Sequence, residues 1–193
     1  MISIDHISVS ITKNLLLGGK NIQHMHSCSF CGYEGMLHRH GCYGRNVVTL
    51  HEHSIISIQR FLCPSCGKTY SLLPSILIPY FIYSFDVVVS CLHSVFVMHK
   101  KASDVCRVLH YYNKKCFITI QSICYFKKRF LSKIHVVNSF FASLDSFHYD
   151  SDLSIFSKER ATAIVLAKVF DFNTAKSFNY EYFRKMPMYF LSS

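Results

Sequence analysis

Two features that would place the protein outside the cell are missing from this sequence. The chain starts without a basic region, an apolar stretch and a cleavage site, so the pattern of a secretory signal peptide is absent. Its nine cysteines are an odd number scattered along the chain, which is unlike a disulfide-stapled secreted domain. We therefore expect a cytoplasmic protein.

A long unbroken apolar run is missing as well. Residues 69–99 carry a single charged side chain, Asp86. Pro74, Pro79 and His93, together with that aspartate, divide the run into pieces shorter than the ~20 apolar residues of a spanning helix. We expect no membrane-spanning segment and no membrane partner.

Acidic side chains are scarce in one part of the chain. Residues 98–135 contain nine Lys/Arg and one Asp, a net charge of +8, whereas residues 1–97 contain six and four, and residues 136–193 contain six of each. Such a concentration of positive charge favours a polyanionic partner, and a solvated charged surface is the alternative. At 193 residues and 50% hydrophobic, the chain can build one ordinary domain or two small ones, which excludes extensive disorder and large two-domain enzymes.

Two Cys-x-x-Cys units form the most informative motif. They are separated by 31 residues, and each is followed by glycine, Gly32 or Gly67. Two intervening residues let a tight turn direct both sulfurs to one ion, about 2.3 Å away for zinc, and the glycine permits the left-handed backbone of that turn. The pattern predicts a structural zinc site, with thiol–disulfide exchange as the alternative. The predicted ligands are Cys28, Cys31, Cys63 and Cys66.

Short strands are predicted around these units. They span residues 36–40, 47–51, 55–61 and 68–71, and Gly41, Gly44 and Asn46 mark a turn between the first two. Together they predict a zinc ribbon with an enlarged hairpin. A unit of about 45 residues buries too little apolar surface to fold unaided, so the ~10–16 kcal/mol of zinc binding in small zinc domains would stabilise it.

Other metal-binding residue types are present but are not needed for this site. Four thiolates complete the shell of a zinc ion, so we expect the nearby histidines at exposed strand or loop positions, although they are possible competing ligands. These are His24, His26, His38, His40, His51 and His53. The remaining cysteines are expected to be small core residues. They are Cys42, Cys91, Cys106, Cys116 and Cys124.

Three helices are predicted after an extended apolar strap that contains Pro74 and Pro79. The first spans about residues 84–99 and is capped by Ser84, the second is short and capped by Ser103, and the third begins near Thr119. A helical wheel of the third separates an apolar arc from a polar arc and leaves Lys127 within the apolar one. The apolar arc contains Ile120, Ile123, Cys124, Phe126, Phe130, Leu131 and Ile134.

The polar arc of the third helix has the composition of a major-groove reader. Gln121 and Ser122 are placed to reach base edges, and Lys128, Arg129 and Lys133 to contact phosphates. A solvated face on a packed helix is the alternative interpretation. The predicted DNA-binding residues are Lys100, Lys101, Lys114, Lys115, Thr119, Gln121, Ser122, Tyr125, Lys128, Arg129 and Lys133.

Several segments together resemble a known bacterial group. They are the two Cys-x-x-Cys units, CPSCGKTYSLLPSILIPY leading into YSFDVVVSCL, and ASDVCRVL with ITIQSICYFKKRF. Over about residues 25–134 they resemble the zinc-ribbon and helix-turn-helix region at the start of insertion-sequence transposases, and related transposase-like domains of unassigned function. The resemblance implies that the four cysteines bind zinc and that the helix from Thr119 binds the terminal DNA of a mobile element.

Transposases of that group usually continue into a nuclease-like domain in which three carboxylates hold divalent metal. Only 59 residues follow Ile134, and their acidic residues lack the strand context that would bring them together on metal ions. We expect surface or capping carboxylates and assign no catalytic residue. The acidic candidates are Asp145, Asp150, Asp152, Glu159, Asp171 and Glu181.

The predicted fold class is small α+β: an N-terminal zinc ribbon of short antiparallel strands, an all-α helix-turn-helix-like region and a C-terminal helical tail. The predicted boundaries are 1–24 for an extension, 25–80 for the ribbon and strap, 81–135 for the DNA-binding region and 136–193 for the tail, which includes a helix over 158–170. The predicted function is zinc-dependent, sequence-specific binding of double-stranded DNA without catalysis. A transposase, or a second copy joined through the aromatic tail, is the further partner considered.

Three other functions are kept as alternatives. The chain could be a complete small transposase, a zinc-stapled protein-interaction module, or an RNA-binding protein that uses ribbon aromatics. Those aromatics are Phe30, Tyr33 and Tyr43.

Overall fold

The computed structural model describes residues 2–4, 28, 30–74, 76–143, 158–175, 178–186 and 191. Within these residues the chain forms strands first and helices afterwards. The strands are β1 (Ile2–Ile4), β2 (His38–Val48), β3 (His53–Leu62) and β4 (Thr69–Pro74). The helices are α1 (Phe85–Phe96), α2 (Ala102–Tyr112), α3 (Ile120–Ala142), α4 (Lys158–Ala175) and α5 (Phe178–Lys185).

The strands form one sheet in the order β1-β4-β3-β2. β3 and β4 are antiparallel, with Arg60 opposite Ser71, and β1 runs parallel to β4, with Ile2 opposite Leu72. β2, β3 and β4 make up the antiparallel part of the sheet. The predicted small α+β class is confirmed.

The prediction of two separate strands at the start of the sheet was wrong. Residues 36–40 and 47–51 were expected as separate strands, but β2 runs without a break from His38 to Val48. Gly41 adopts a φ of 69° within this strand, so the glycine provides a local irregularity rather than a turn. The reversal comes later, where the Thr49 side-chain oxygen accepts hydrogen bonds from the backbone amides of His51 and Glu52.

Contacts divide the chain into two compact units. Unit 1 comprises residues 1–47 and 54–75, and unit 2 comprises residues 48–53 and 76–193. A small core in unit 1 contains Leu37, Phe61, Tyr70 and Leu72 beside two of the cysteines. The larger core of unit 2 joins buried side chains of α1 to α5, including Val88, Phe126, Phe130 and Phe140.

The sequence predicted the helices of unit 2 better than it predicted their N-terminal caps. α3 begins next to Thr119, as predicted, and Thr119 caps it, because its side chain accepts a hydrogen bond from the Ser122 amide. Ser84 occupies the cap position of α1 but its hydroxyl makes no capping hydrogen bond. Ser103 was wrong as a cap, since α2 starts at Ala102 and Lys101 takes the cap position.

Two features of the C-terminal half differ from the predicted lengths. α3 continues to Ala142 because Val137, Phe140 and Phe141 extend its buried face, so the predicted boundary between residues 135 and 136 lies inside a helix. α4 is longer than the predicted 158–170 and ends at Ala175. No helix within the described ranges is both long enough and apolar enough to cross a membrane.

Candidate functional site

The four predicted metal ligands come together in unit 1. The Sγ atoms of Cys28, Cys31, Cys63 and Cys66 all lie within 4.8 Å of one another. Cys28 Sγ is 3.7 Å from Cys66 Sγ, and Cys31 Sγ is 3.8 Å from Cys63 Sγ. These two contacts join one Cys-x-x-Cys unit to the other, and the cluster can hold a metal ion such as zinc.

Each pair of cysteines is held by the same backbone turn. In the first turn the Gly32 amide donates to the Cys28 carbonyl at 2.9 Å, and the Cys28 amide donates to Tyr33. In the second turn the Gly67 amide donates to the Cys63 carbonyl at 3.0 Å, and the Cys63 amide donates to Lys68. Gly32 and Gly67 have φ values of 71° and 67°, in the left-handed region predicted for them. The two halves of the site are thus built by one repeated local geometry.

Tyr70 supports the cluster from β4. Its hydroxyl oxygen accepts the Phe30 amide at 3.1 Å, which directs the hydroxyl proton to Cys28 Sγ at 2.6 Å. Burial raises the pKa of the Cys28 thiol, but hydrogen bonds from Tyr70 and from backbone amides outweigh burial and lower this pKa to about 6. Cys28 is therefore stabilised as a thiolate, the form that binds metal.

Cys66 shows the opposite electrostatic balance. A backbone hydrogen bond from Lys68 lowers its pKa, whereas burial and the three neighbouring cysteine side chains raise it and prevail, giving a pKa of about 11. Four thiolates this close repel one another unless a cation lies among them. Metal binding by the cluster must therefore displace protons.

An exposed aromatic residue lies at the edge of the cluster. The Phe30 ring is 56% exposed and packs on Tyr70 with ring centroids 5.2 Å apart. The Lys68 ammonium lies 4.2 Å from the Phe30 ring centroid, within the range of a cation–π contact. Tyr33 packs against the unit 1 core instead, and Tyr43 is 37% exposed on β2.

The histidines that the structure describes do not join the cysteines. Four of them, His38, His40, His51 and His53, are exposed, as predicted for strand and loop positions. The other two, His24 and His26, lie outside the described residues. Within the described ranges the four-cysteine cluster is the one group of three or more Cys, His, Asp or Glu side chains with metal-ligand spacing.

The remaining cysteines divide into core and surface residues. Cys91 and Cys116 are buried, and burial raises the pKa of both thiols. The expectation of core positions is wrong for Cys42 and Cys124, which are exposed. Cys106 is half-buried on α2.

α3 has the two faces that its periodicity predicted, with changes at the N-terminal end. Ile123, Phe126, Phe130 and Ile134 are buried, whereas Ile120, predicted to be apolar-facing, is 49% exposed. The predicted polar arc lies at the surface or is half-buried. Its members are Gln121, Ser122, Tyr125, Lys128, Arg129, Ser132 and Lys133.

Interactions along this face fix two groups of side chains. Arg129 Nε donates to the Tyr125 hydroxyl at 3.0 Å, and the guanidinium carbon lies 5.5 Å from the Tyr125 ring centroid. Thr119 and Ser122 interact with each other at the cap, with their hydroxyl oxygens 3.0 Å apart. A cation–π contact explains how Lys127 is accommodated on the apolar arc, because its ammonium lies 5.3 Å from the Phe96 ring centroid.

The other predicted DNA-binding residues lie outside α3. Lys100 and Lys101 are exposed between α1 and α2, and Lys114 and Lys115 are exposed between α2 and α3. The single acidic residue of this segment, Asp104, pairs with Arg107 at 3.1 Å on α2. Eight of the nine cations in residues 98–135 therefore have no carboxylate of the same segment beside them.

Among the residues that the structure describes, no acidic candidate belongs to a group with metal-ligand spacing. Asp145, Asp150 and Asp152 lie outside the described residues. Glu159 and Asp171 lie on α4, and Glu181 lies on α5.

Sequence reasoning missed Tyr70 and Asn113. Tyr70 follows Cys66 by four residues on a strand, which is the signal that could have placed it near the cysteines. Asn113 ends α2, is 4% exposed, and donates from Nδ2 to the Thr49 carbonyl at 3.0 Å. Nothing local in the sequence indicates that contact, because Thr49 is 64 residues away.

Comparison with known protein families gives a match over part of the chain. A family described as a domain of unknown function (DUF6431) matches residues 28–111. The matched segment contains all four clustered cysteines together with α1 and most of α2, and it stops before α3. No curated protein and no solved structure matches the chain.

Proposed function

We propose that this chain is a zinc-dependent DNA-binding protein without catalytic activity of its own. In this proposal a zinc ion bound by Cys28, Cys31, Cys63 and Cys66 stabilises unit 1 as a zinc ribbon. The α2–α3 pair of unit 2 acts as a helix-turn-helix-like element, and the outer face of α3 contacts duplex DNA.

The sulfur geometry supports zinc. A tetrahedral ion with bonds of about 2.3 Å to sulfur requires its ligands to lie about 3.8 Å apart. The two measured separations between the Cys-x-x-Cys units are 3.7 and 3.8 Å. All four sulfurs lie within 4.8 Å of one another, so both Cys-x-x-Cys units contribute to one site, whereas thiol exchange needs a single pair. All-thiolate coordination without an open position is typical of structural zinc.

The observation that carries the DNA-binding proposal is the outer face of α3. Tyr125, Lys128 and Arg129 lie on one side of a helix whose other side is buried in the core of unit 2. The Tyr125 hydroxyl holds Arg129 in a defined position, which lowers the entropy cost of a phosphate contact. The surrounding segment has nine Lys/Arg and one Asp, and that Asp is already paired.

The resemblance to transposase N-terminal regions suggests which DNA is bound. Terminal sequences of a mobile element are the proposed target class. The connection from Asn113 to Thr119 is longer than the 3–4-residue turn of ordinary helix-turn-helix units, so a variant of that motif is proposed.

Metal content tests the first part of the proposal. Protein purified without chelator is expected to contain one zinc per chain, and the Cys28→Ser/Cys63→Ser double variant is expected to contain none. Cys124→Ser is the matched control, because Cys124 is exposed and lies outside the cluster. Full-length protein that binds no zinc under these conditions would overturn the ribbon.

DNA binding against salt concentration tests the second part. With about five phosphate contacts, the slope of log affinity against log salt should be about −4 to −5. The Lys128→Ala/Arg129→Ala variant should weaken binding to every duplex and reduce the slope by about 2. Arg39→Ala removes an exposed cation of β2 and serves as the control, with no expected change in slope.

Two results would contradict DNA binding by α3. A slope near zero for the unaltered protein would remove the electrostatic basis of the proposal. An equal effect of Arg39→Ala and of the α3 variant would show that the helix face is not the binding surface. Strand nicking of bound DNA with magnesium or manganese would instead indicate a complete transposase.

A further inference from the structure

Three aromatic side chains point into solvent around the connection between α2 and α3. Tyr111 is 74% exposed, Tyr112 is 73% exposed and Phe117 is 72% exposed. Aromatic side chains usually bury most of their surface in a folded protein. The Tyr111 and Tyr112 ring centroids are 5.6 Å apart, and the Phe117 ring lies 5.9 Å from the ring of His110, the neighbour of Tyr111 in the chain. We call Tyr111, Tyr112 and Phe117 the aromatic platform.

The connection is anchored on both sides of Phe117. Cys116 and Ile118 are 1% and 7% exposed, and the Phe117 carbonyl accepts the Tyr83 hydroxyl at 3.1 Å. Because its two neighbours are buried, Phe117 is directed outward by the backbone. The backbone of this connection therefore keeps the Phe117 side chain exposed.

Asn113 fixes the start of the same connection. Its Nδ2 donates to the Thr49 carbonyl at 3.0 Å, and its Oδ1 accepts the Lys115 amide at 2.9 Å. Its backbone donates to Leu109 and accepts from Cys116, both at 2.9 Å. The rings of the platform are therefore carried by a backbone with a defined shape, which reduces the entropy cost of binding to them.

Positive charge is interleaved with these rings. Lys114 and Lys115 are exposed between Tyr112 and Phe117, and the Lys114 ammonium lies 5.6 Å from the Tyr111 ring centroid. Exposed aromatic rings combined with cations form the usual binding surface for unpaired bases: the rings stack on bases and the cations contact the backbone. An apolar protein partner would not require the lysines.

We propose that the aromatic platform binds unpaired bases of a nucleic acid strand adjacent to the duplex held by α3. This inference rests on the proposed function and specifies its substrate as duplex DNA with a single-stranded extension. An extension of four nucleotides offers at least one unpaired base for each of the three rings, so it is sufficient to test the idea.

The experiment compares three labelled probes by fluorescence anisotropy: a continuous duplex, the same duplex with a four-thymidine extension, and the same duplex with a four-uridine extension. The extension should raise the affinity about 5- to 100-fold for each base that stacks. Equal gains with both extensions assign the site to bases in general, and a gain with uridine alone assigns it to RNA strands.

Substitutions locate the effect. Phe117→Leu keeps an apolar side chain but removes the aromatic face, so it should lower the gain from the extension about 5-fold or more, the share of one stacked base, and leave duplex affinity within about twofold. Tyr111→Leu should reduce the gain in the same way. Tyr43→Leu, an exposed aromatic of β2 in unit 1, is the control and should change neither affinity. Thermal unfolding verifies that each variant remains folded.

The outcomes separate this inference from the proposed function. Duplex binding without any gain from an extension overturns the inference alone. A gain that Phe117→Leu retains in full also overturns it, because an apolar contact would then suffice, and so does a gain that Tyr43→Leu removes. Binding of the extension without binding of the duplex supports the platform and contradicts the role of α3. Loss of self-association in Phe117→Leu without a change in nucleic acid binding overturns the inference and assigns the surface to a protein contact.

Discussion

The hydroxyl of Tyr70 should determine how tightly the cysteine cluster holds zinc. Tyr70→Phe removes one oxygen atom from a side chain that is 1% exposed and keeps its ring, so packing in the unit 1 core is preserved. The substitution deletes the hydrogen bond from this hydroxyl to Cys28 Sγ, which measures 2.6 Å. It also deprives the Phe30 amide of its acceptor at 3.1 Å.

The magnitude follows from the charge of the acceptor. A hydrogen bond to a charged group contributes ~1.5–3 kcal/mol, and 1.4 kcal/mol corresponds to a factor of about ten in affinity. We therefore expect Tyr70→Phe to weaken zinc binding about 10- to 100-fold, the usual range for loss of a hydrogen bond to a metal ligand. Loss of the acceptor of the Phe30 amide should lower the free energy of unfolding of the metal-bound protein by a further ~0.5–1.5 kcal/mol, the net contribution of one partly exposed hydrogen bond.

Competition with a chromophoric chelator measures the affinity directly. Tyr43→Phe is the control, because it removes a more exposed tyrosine hydroxyl from the same unit. An unchanged affinity in Tyr70→Phe would refute the argument that this hydroxyl stabilises the Cys28 thiolate. An equal loss in Tyr43→Phe would show that the effect is not specific to the cluster.

Three further predictions concern unit 2. Asn113→Ala should lower the free energy of unfolding by ~1–3 kcal/mol, because two buried hydrogen bonds are lost; a change below about 0.5 kcal/mol in urea denaturation would contradict the role of this residue. Thr119→Ala should cost ~1 kcal/mol through loss of the α3 cap, and Thr119→Ser should restore most of it in the same assay. Burial raises the pKa of Tyr182 to about 12, so the folded protein holds this proton more tightly than the unfolded chain, whose pKa is about 10. The resulting stability should be present below pH ~10 and lost as the pH rises through ~12. Denaturation at alkaline pH should show a smaller decline in the free energy of unfolding for Tyr182→Phe.

Local chemistry explains what the sequence could predict about unit 1. The spacing of two cysteines and the following glycine depends on a few consecutive residues, and both turns have the predicted left-handed glycines. The separations of the four sulfurs depend instead on contacts between segments 32–42 residues apart in sequence. Cys28 Sγ meets both Cys66 Sγ and the Tyr70 hydroxyl in this way, and neither turn indicates those contacts by itself.

The predicted break within β2 shows how turn-forming residues can mislead a prediction from local sequence. Gly41, Gly44 and Asn46 are typical of turns, and the sequence favoured a break at this point. Pairing with β3 keeps the strand continuous, and Gly41 adopts its positive φ without ending it. Hydrogen bonds to a neighbouring strand outweigh the preference of three residues, and those bonds cannot be seen from residues 38–48 alone.

In unit 2 the 3.6-residue period determined which residues of α3 face the core, since Ile123, Phe126, Phe130 and Ile134 are all buried. Periodicity does not determine how far a buried face extends, so the exposure of Ile120 and Cys124 and the continuation to Ala142 depended on neighbouring helices. The outward position of Phe117 depended on contacts made by Asn113 and Tyr83 with distant parts of the chain. Sequence alone thus determined the two cysteine turns, the periodicities and the charge. Tertiary structure decided which distant side chains meet, because those contacts are set by strand pairing and helix packing.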